Sequence, residues 1–177
     1  MLQFVIALLL LTFQPLISAD QIEYKVKAAY LYQFTKFTEW PGKEFLNINT
    51  PIRICVLGIN PFGQLLDNLN SKTSQDRHLE IEYLSSTNNL SQCHVIFISQ
   101  SEEHNLKQIL TLTKNSPVLT VSDMNDFAER GGIIGLVIAQ GNIRLEINYD
   151  ASSTAGVKLS SKLLEIATLI KDSRKEN

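Results

Sequence analysis

The residues of this 177-residue chain that could carry chemistry are few: two cysteines, three histidines and a scatter of serines, aspartates and glycines. His78, His94 and His104 fall in a loop, at a strand start and in a helix, with none of the short paired spacings of a zinc site. His104 beside Glu102 and Glu103 reads as a solvated helix end. Gly58-Ile59-Asn60-Pro61-Phe62-Gly63 follows an apolar run, where phosphate-binding turns occur. It departs from the G-x-G-x-x-G spacing, and Pro61 removes an amide that would face an anion, so it reads as a tight turn. Ser160-Ser161 lacks the Gly-x-Ser-x-Gly frame of a nucleophile and suits a helix cap. Asp123 could be a strand-end phosphoacceptor, but the acidic pair expected after the first strand is missing. These patterns support no enzyme, no metal site and no cofactor.

Cys55 and Cys93 are different, because two cysteines in an oxidising compartment pair by default. They lie 38 positions apart, and closing that loop would stabilise the fold by about 4 kcal/mol on the chain-entropy argument. Two buried free thiols acting as small hydrophobes are the alternative. Pairing requires the strands that carry or adjoin them to be neighbours. A formal charge of −2 with mixed Lys and Glu lacks the basic face that nucleic acid requires.

The compartment is read from the start of the chain. Met1 to Ala19 has no charged residue, and Phe4 to Phe13 is an almost unbroken apolar run of signal-peptide length, too short to span a bilayer. Leu16-Ile17-Ser18-Ala19 offers a small residue before Asp20, though Ile17 is bulky and the leading positive charges are absent. The alternative is a buried N-terminal strand. Residues 1–19 are therefore expected to be a signal peptide, and residues 20–177 one exported domain large enough to bury its own core.

Periodicity places these residues on elements. Ile22, Val26, Ala29, Tyr30, Phe34 and Phe37 recur at helical spacing and predict a first helix with that stripe inward, ending near Trp40-Pro41. Ile52 to Gly58 reads as a strand, Asn60-Pro61 opens a helix through Leu65, Leu66 and Leu69, and Leu79 to Leu84 is the next strand. His94 to Ile98 is a buried strand, and Ser99-Gln100-Ser101-Glu102 is a capping box for a helix through Leu112. Val118 to Val121 is a strand, Asp123 caps a short helix stopped at Gly131-Gly132, and Ile133–Ala139 and Asn142–Asn148 flank the turn Gln140-Gly141. Gly156 ends a helical turn, Ser160 starts a closing helix, and Leu163, Ile166, Ala167 and Ile170 form its inward stripe. Alternating strands and helices predict an α/β fold: a central mixed, mostly parallel sheet with helices on both faces, Rossmann-like, with a C-terminal β-hairpin and closing helix.

A resemblance then covers nearly all of the chain after Ala19. Lys27-Ala28-Ala29-Tyr30-Leu31-Tyr32-Gln33-Phe34 with Phe37-Thr38-Glu39-Trp40-Pro41, and Ile54-Cys55-Val56-Leu57-Gly58 with Asn60-Pro61-Phe62-Gly63, are similar to the opening signature of the YfiR family of periplasmic proteins. Cys93 to Ser99, Leu119 to Asp123, Phe127-Ala128, Gly131 to Ile134, Arg144 to Asn148 and Ala155 to Leu164 continue it in order.

The resemblance implies a flanked α/β domain and a regulator: a periplasmic repressor binding the periplasmic part of an inner-membrane diguanylate cyclase and lowering cyclic-di-GMP synthesis. An outer-membrane lipoprotein that sequesters the repressor, homodimerisation and cysteine redox state are further properties it implies. Cys55 and Cys93 match one family cysteine pair; a second pair has no counterpart here. The expected partner surface is the first helix, with Tyr32 and Trp40 foremost and Arg144 and Lys158 as polar contacts. A small-ligand sensor acting on another membrane receptor is the alternative, with an anion held by Asn148, Lys158 and the following helix start.

Overall fold

The computed structural model describes residues 19–171, so the apolar Met1–Ala19 segment lies almost wholly outside the described residues. The chain runs as helix α1 (Ala19–Phe37) and strands β1 (Thr38–Glu39), β2 (Ile52–Leu57), β3 (Thr73–Ser74), β4 (Arg77–Leu84) and β5 (Val95–Ile98). Helix α2 (Leu106–Thr113), β6 (Leu119–Ser122), β7 (Ile134–Ala139) and β8 (Asn142–Asn148) follow. Helix α3 (Tyr149–Ala155), β9 (Lys158–Leu159), helix α4 (Ser161–Glu165) and β10 (Thr168–Ile170) complete it.

Eight of these strands form one sheet in the order β10-β8-β7-β6-β5-β2-β4-β3, and β1 pairs with β9 in a separate ribbon. Strands β4, β2, β5, β6 and β7 run parallel, while β8 returns antiparallel beside β7. The fold is the expected α/β class, mostly parallel and doubly wound, with the strand order reversing between β2 and β5.

Alternation along each strand builds two cores. Ile52, Ile54, Val56, Val95, Phe97, Leu119 and Val121 face α1, where Ala28, Leu31 and Phe34 meet them. Cys55, Leu57, Ile96, Ile98 and Val118 face the other way, toward Leu106, Ile109 and Leu110 of α2. The β7–β8 hairpin turns at Gln140 and Gly141, both at positive φ (54° and 74°), as a tight two-residue turn demands. Gly156 ends α3 at φ 77°, and the Ser160 hydroxyl accepts from the Leu163 amide to start α4.

Several expected elements fold differently. The first helix is there, but it buries Lys27, Ala28, Leu31, Phe34 and Thr35, while Ile22 and Val26 are 56% and 41% exposed. At about 100° per residue, Ile22 and Val26 fall on the side of α1 opposite its buried stripe, so they face away from the sheet. The segment after Asn60-Pro61 is a chain of turns and a 3-10 stretch, Asp67–Ser71, rather than an α-helix. Asn60 is spent on a local turn, accepting from the Phe62 amide and donating to the Gly63 carbonyl. Ser99 does not cap: its hydroxyl donates to the Ile59 carbonyl, and a 3-10 stretch, Gln100–Asn105, leads into α2. Residues 123–131 are turns, because the Asp123 carboxylate is engaged with α1. The closing helix stops at Glu165, and the chain becomes β10, which adds a parallel strand to β8 and leaves Ile166 67% exposed.

Candidate functional site

Cys55 on β2 and Cys93, the residue that closes a 3-10 turn just before β5, form a disulfide with Cα atoms 6.0 Å apart. The adjacency it needs is supplied by the parallel pairing of β2 with β5. Both residues are buried in the core on the α2 side. Glu82, opposite Cys55 on β4, completes a triad whose potential ligand atoms lie within 4.8 Å of one another, but the bridge occupies both sulfurs and Arg53 reaches the carboxylate.

The crevice at the β2/β5 reversal, where open α/β sheets bind ligands, is filled by the chain itself. Ser101 Oγ accepts from the Ile59 amide at 2.9 Å and Ser99 Oγ donates to the Ile59 carbonyl at 2.7 Å. Gly58 sits at φ 91°, where a Cβ would run into the Ser101 side chain. The glycine is there for close packing, not for a phosphate.

The proposed surface residues are dispersed. Trp40 is only 8% exposed; its indole donates to the His94 carbonyl at 3.2 Å and packs edge-on against the His94 ring. It is a core residue, not a free anchor. Tyr32 is half-buried, its hydroxyl donating to the Thr73 carbonyl and its ring under Lys36. Arg144 is exposed in the middle of β8, paired with Val137. Asn148 is fully buried: its side chain donates to the Ala128 carbonyl and accepts from the Ala151 amide, capping α3. Lys158 is exposed on the small ribbon and pairs with Glu39 at 3.0 Å. With the Asn148 amide internally satisfied and the α4 start capped by Ser160, no anion cradle forms from Asn148, Lys158 and that helix.

Two polar constellations that the sequence reading missed do assemble. The first lies where α1 crosses the end of β6. Lys27, whose side chain is 2% exposed, donates to Asp123 Oδ2 at 2.5 Å and also pairs with Glu23 one turn earlier. Tyr24 donates to the same Oδ2 at 2.9 Å, and its ring lies 4.4 Å from the Lys27 ammonium. Burial, reinforced by the Asp123 charge, pushes the Tyr24 hydroxyl above its ordinary pKa, so it stays a donor. Asp123 Oδ1 is buried with no partner. Helical arithmetic carries the signal: Lys27 shares its stripe with Leu31 and Phe34, so it must go inside and must find an acid.

The second lies at the opposite end of the sheet. His94 Nδ1 accepts from the Arg53 amide at 3.0 Å, and its ring stacks flat on Phe45 at 4.8 Å, with Arg77 over the far face of Phe45. Burial first, then the charges of Arg53 and Arg77, push the His94 pKa down to about 4, so the ring is neutral at pH 7.

What is exposed on α1 is the stripe of Ile22 and Val26. Ile22, Tyr24, Pro61, Phe62 and Leu65 line a largely apolar cavity of about 750 Å³ between the start of α1 and the turns that follow β2. A second cavity of about 470 Å³ lies across the sheet, between α2 and α3.

The chain from Tyr24 to Thr168, residues 24–168, matches the family described as YfiR/HmsC-like. The protein belongs to that family. That family is regulatory rather than catalytic. Among solved structures, the ABC domain in complex with L-Trp from Streptococcus pneumonia is similar, at a TM-score of 0.48 and 13% identity. That likeness covers 67% of this chain and 55% of the other, so this chain spans about half the length of that protein. No described helix of this family member is long and apolar enough to cross a membrane.

Proposed function

We propose that this protein is a periplasmic repressor that binds the periplasmic part of a membrane-bound signalling partner, a diguanylate cyclase, and so lowers cyclic-di-GMP synthesis. The observation that carries the reading is family membership over residues 24–168. Repression by contact requires the protein to favour one state of its partner, since equal affinity for both states shifts nothing.

The partner-facing surface in this reading is the start of α1. Ile22 and Val26 are one turn apart on an exposed face, and Ile22 also lines the larger, mostly apolar cavity, exposed apolar side chains of the kind that anchor interfaces. This replaces Trp40, whose burial makes it a poor probe, and keeps the first helix as the contact element.

The test is cross-linking and affinity capture from periplasm and inner membrane, with wild type beside Ile22→Asp and Val26→Asp, and cyclic-di-GMP measured in a deletion strain. Recovery of a cyclase, a rise of the messenger on deletion, and loss of capture by variants whose melting temperature is unchanged are the expected results. No cyclase and no change in the messenger would sink the reading.

A further inference from the structure

The eight-stranded sheet ends in β3 on one side and β10 on the other, and the two edges are finished differently. An edge strand leaves alternate backbone amides and carbonyls unpaired, and folds blunt such an edge with short strands, charges, proline or a cover. Strand β3 is only two residues long, and the Tyr32 hydroxyl donates to its Thr73 carbonyl. Gln75, in the turn after it, donates to the Thr35 and Thr38 carbonyls at the end of α1. That edge is short and tied to the helix.

Strand β10 carries none of these devices. Among the described residues it pairs with β8 alone, and Ile166 to Ile170 holds neither a charge nor a proline. Ile166 and Leu169 are 67% and 58% exposed, and Thr168 between them is exposed too. Two bulky apolar side chains beside an open ladder favour the addition of a further strand.

The residues around the strand identify that further strand. Glu165-Ile166-Ala167-Thr168-Leu169-Ile170-Lys171 is complementary to its own reverse: Glu165 meets Lys171, Ile166 meets Ile170, Ala167 meets Leu169, and Thr168 meets itself. Run parallel, the same segment would set acid against acid and base against base. Glu165 and Lys171 are both exposed, and among the described residues neither is held in an ion pair. We propose that β10 pairs antiparallel with β10 of a second copy across a two-fold axis near Thr168, so that one sheet runs through both copies and Glu165 of each faces Lys171 of the other. Such an isologous contact closes on itself and leaves no β10 edge for a third copy. It uses neither Ile22 nor Val26, so it stands apart from the partner surface on α1.

Sedimentation velocity on the purified protein between about 1 and 500 µM tests this, with hydrogen exchange read at Thr168 to Ile170. So short an edge makes a weak interface: a monomer–dimer equilibrium at about 1–100 µM is expected, with those amides gaining protection as the dimer forms. Leu169→Lys should weaken it about tenfold or more. Glu165→Lys and Lys171→Glu, both at exposed positions, set like charges opposite one another and should each weaken it about tenfold, while the free protein keeps its melting temperature. Mixing those two variants, or combining both changes in one chain, should restore the dimer, because acid again faces base. A monomer throughout overturns the proposal, as does a dimer unmoved by all three changes, or one that neither mixing nor the double change restores. A chain that stays monomeric and gains protection at β10 only with a captured membrane partner gives this edge to that partner, and overturns it as well.

Discussion

The two faces of the sheet are fastened by opposite chemistry. On the α2 face, Cys55 and Cys93 are covalently joined inside an apolar layer that also holds Leu57, Ile96, Ile98 and Ile109. On the α1 face, the helix is seated by Ala28, Leu31 and Phe34, but its first half is tied down by a buried ion pair, Lys27 with Asp123, assisted by Tyr24. A disulfide acts largely on the unfolded chain and is indifferent to what lies beside it. A buried ion pair must offset the cost of desolvating two charges, so it is weak glue but strongly specific for its partner. The face with the covalent tie encloses the smaller cavity; the face with the ionic tie presents the exposed stripe of Ile22 and Val26. The difference teaches where this fold can give: the start of α1 is held by the interaction most easily traded for another.

The largest effect should come from breaking the ionic tie on one side only. Asp123→Ala leaves the Lys27 ammonium buried with only half-exposed Glu23 beside it and should destabilise the protein by about 3–5 kcal/mol in urea titration. The double change Lys27→Met with Asp123→Leu removes both charges and should recover most of that loss; failure to recover would mean that the tie is more than electrostatic.

Next, the double change Cys55→Ala with Cys93→Ala should cost about 2–4 kcal/mol, with hydrogen exchange rising at β2 and β5 rather than at α1. Exchange rising equally at α1 would erase the distinction between the faces.

The His94 ring sharpens the comparison through pH. Its folded-state pKa of about 4 lies below the ordinary 6.5, so the unfolded chain takes up the proton first as pH falls. The stability from keeping it neutral is full above about pH 6.5 and is lost progressively down to about pH 4, on the order of 2–3 kcal/mol. Urea midpoints measured across that window should slope for wild type and flatten for His94→Gln, whose amide oxygen can still accept from Arg53.

The smallest effect belongs to Lys158 and Glu39, with side chains 75% and 69% exposed. Lys158→Ala should shift stability by less than about 1 kcal/mol, and by less still in high salt.

How far the sequence could be read depends on which residues are asked. Local alternation made Ile143, Leu145 and Ile147 one face of β8, and turn chemistry placed Gln140-Gly141 in a hairpin, because both signals are carried by neighbours in the chain. The strand order that lets Cys55 reach Cys93 was required by the pairing but not supplied by it. Apolar spacing alone points Ile22 and Val26 inward, but the stripe through Lys27, Leu31 and Phe34 on the opposite side of α1 is the one that is buried, and periodicity does not say which of two stripes meets the sheet. Residue type alone does not separate a surface Trp40 or Asn148 from a buried one, because aromatic and amide side chains serve interfaces and cores alike, and only the neighbours decide.

By itself the sequence determined the α/β class, the β7–β8 hairpin, the Ser160 and Gly156 helix ends and the absence of a recognisable catalytic motif, all properties of short-range pattern. Only the tertiary structure decided that Asp123 serves Lys27 rather than a helix cap, that the last residues form β10 rather than more helix, and that Ile22 and Val26 stay in water. The first two turn on partners distant in sequence, about 20 to 100 residues away, and the third on which side of α1 the sheet meets; a local pattern carries no record of either.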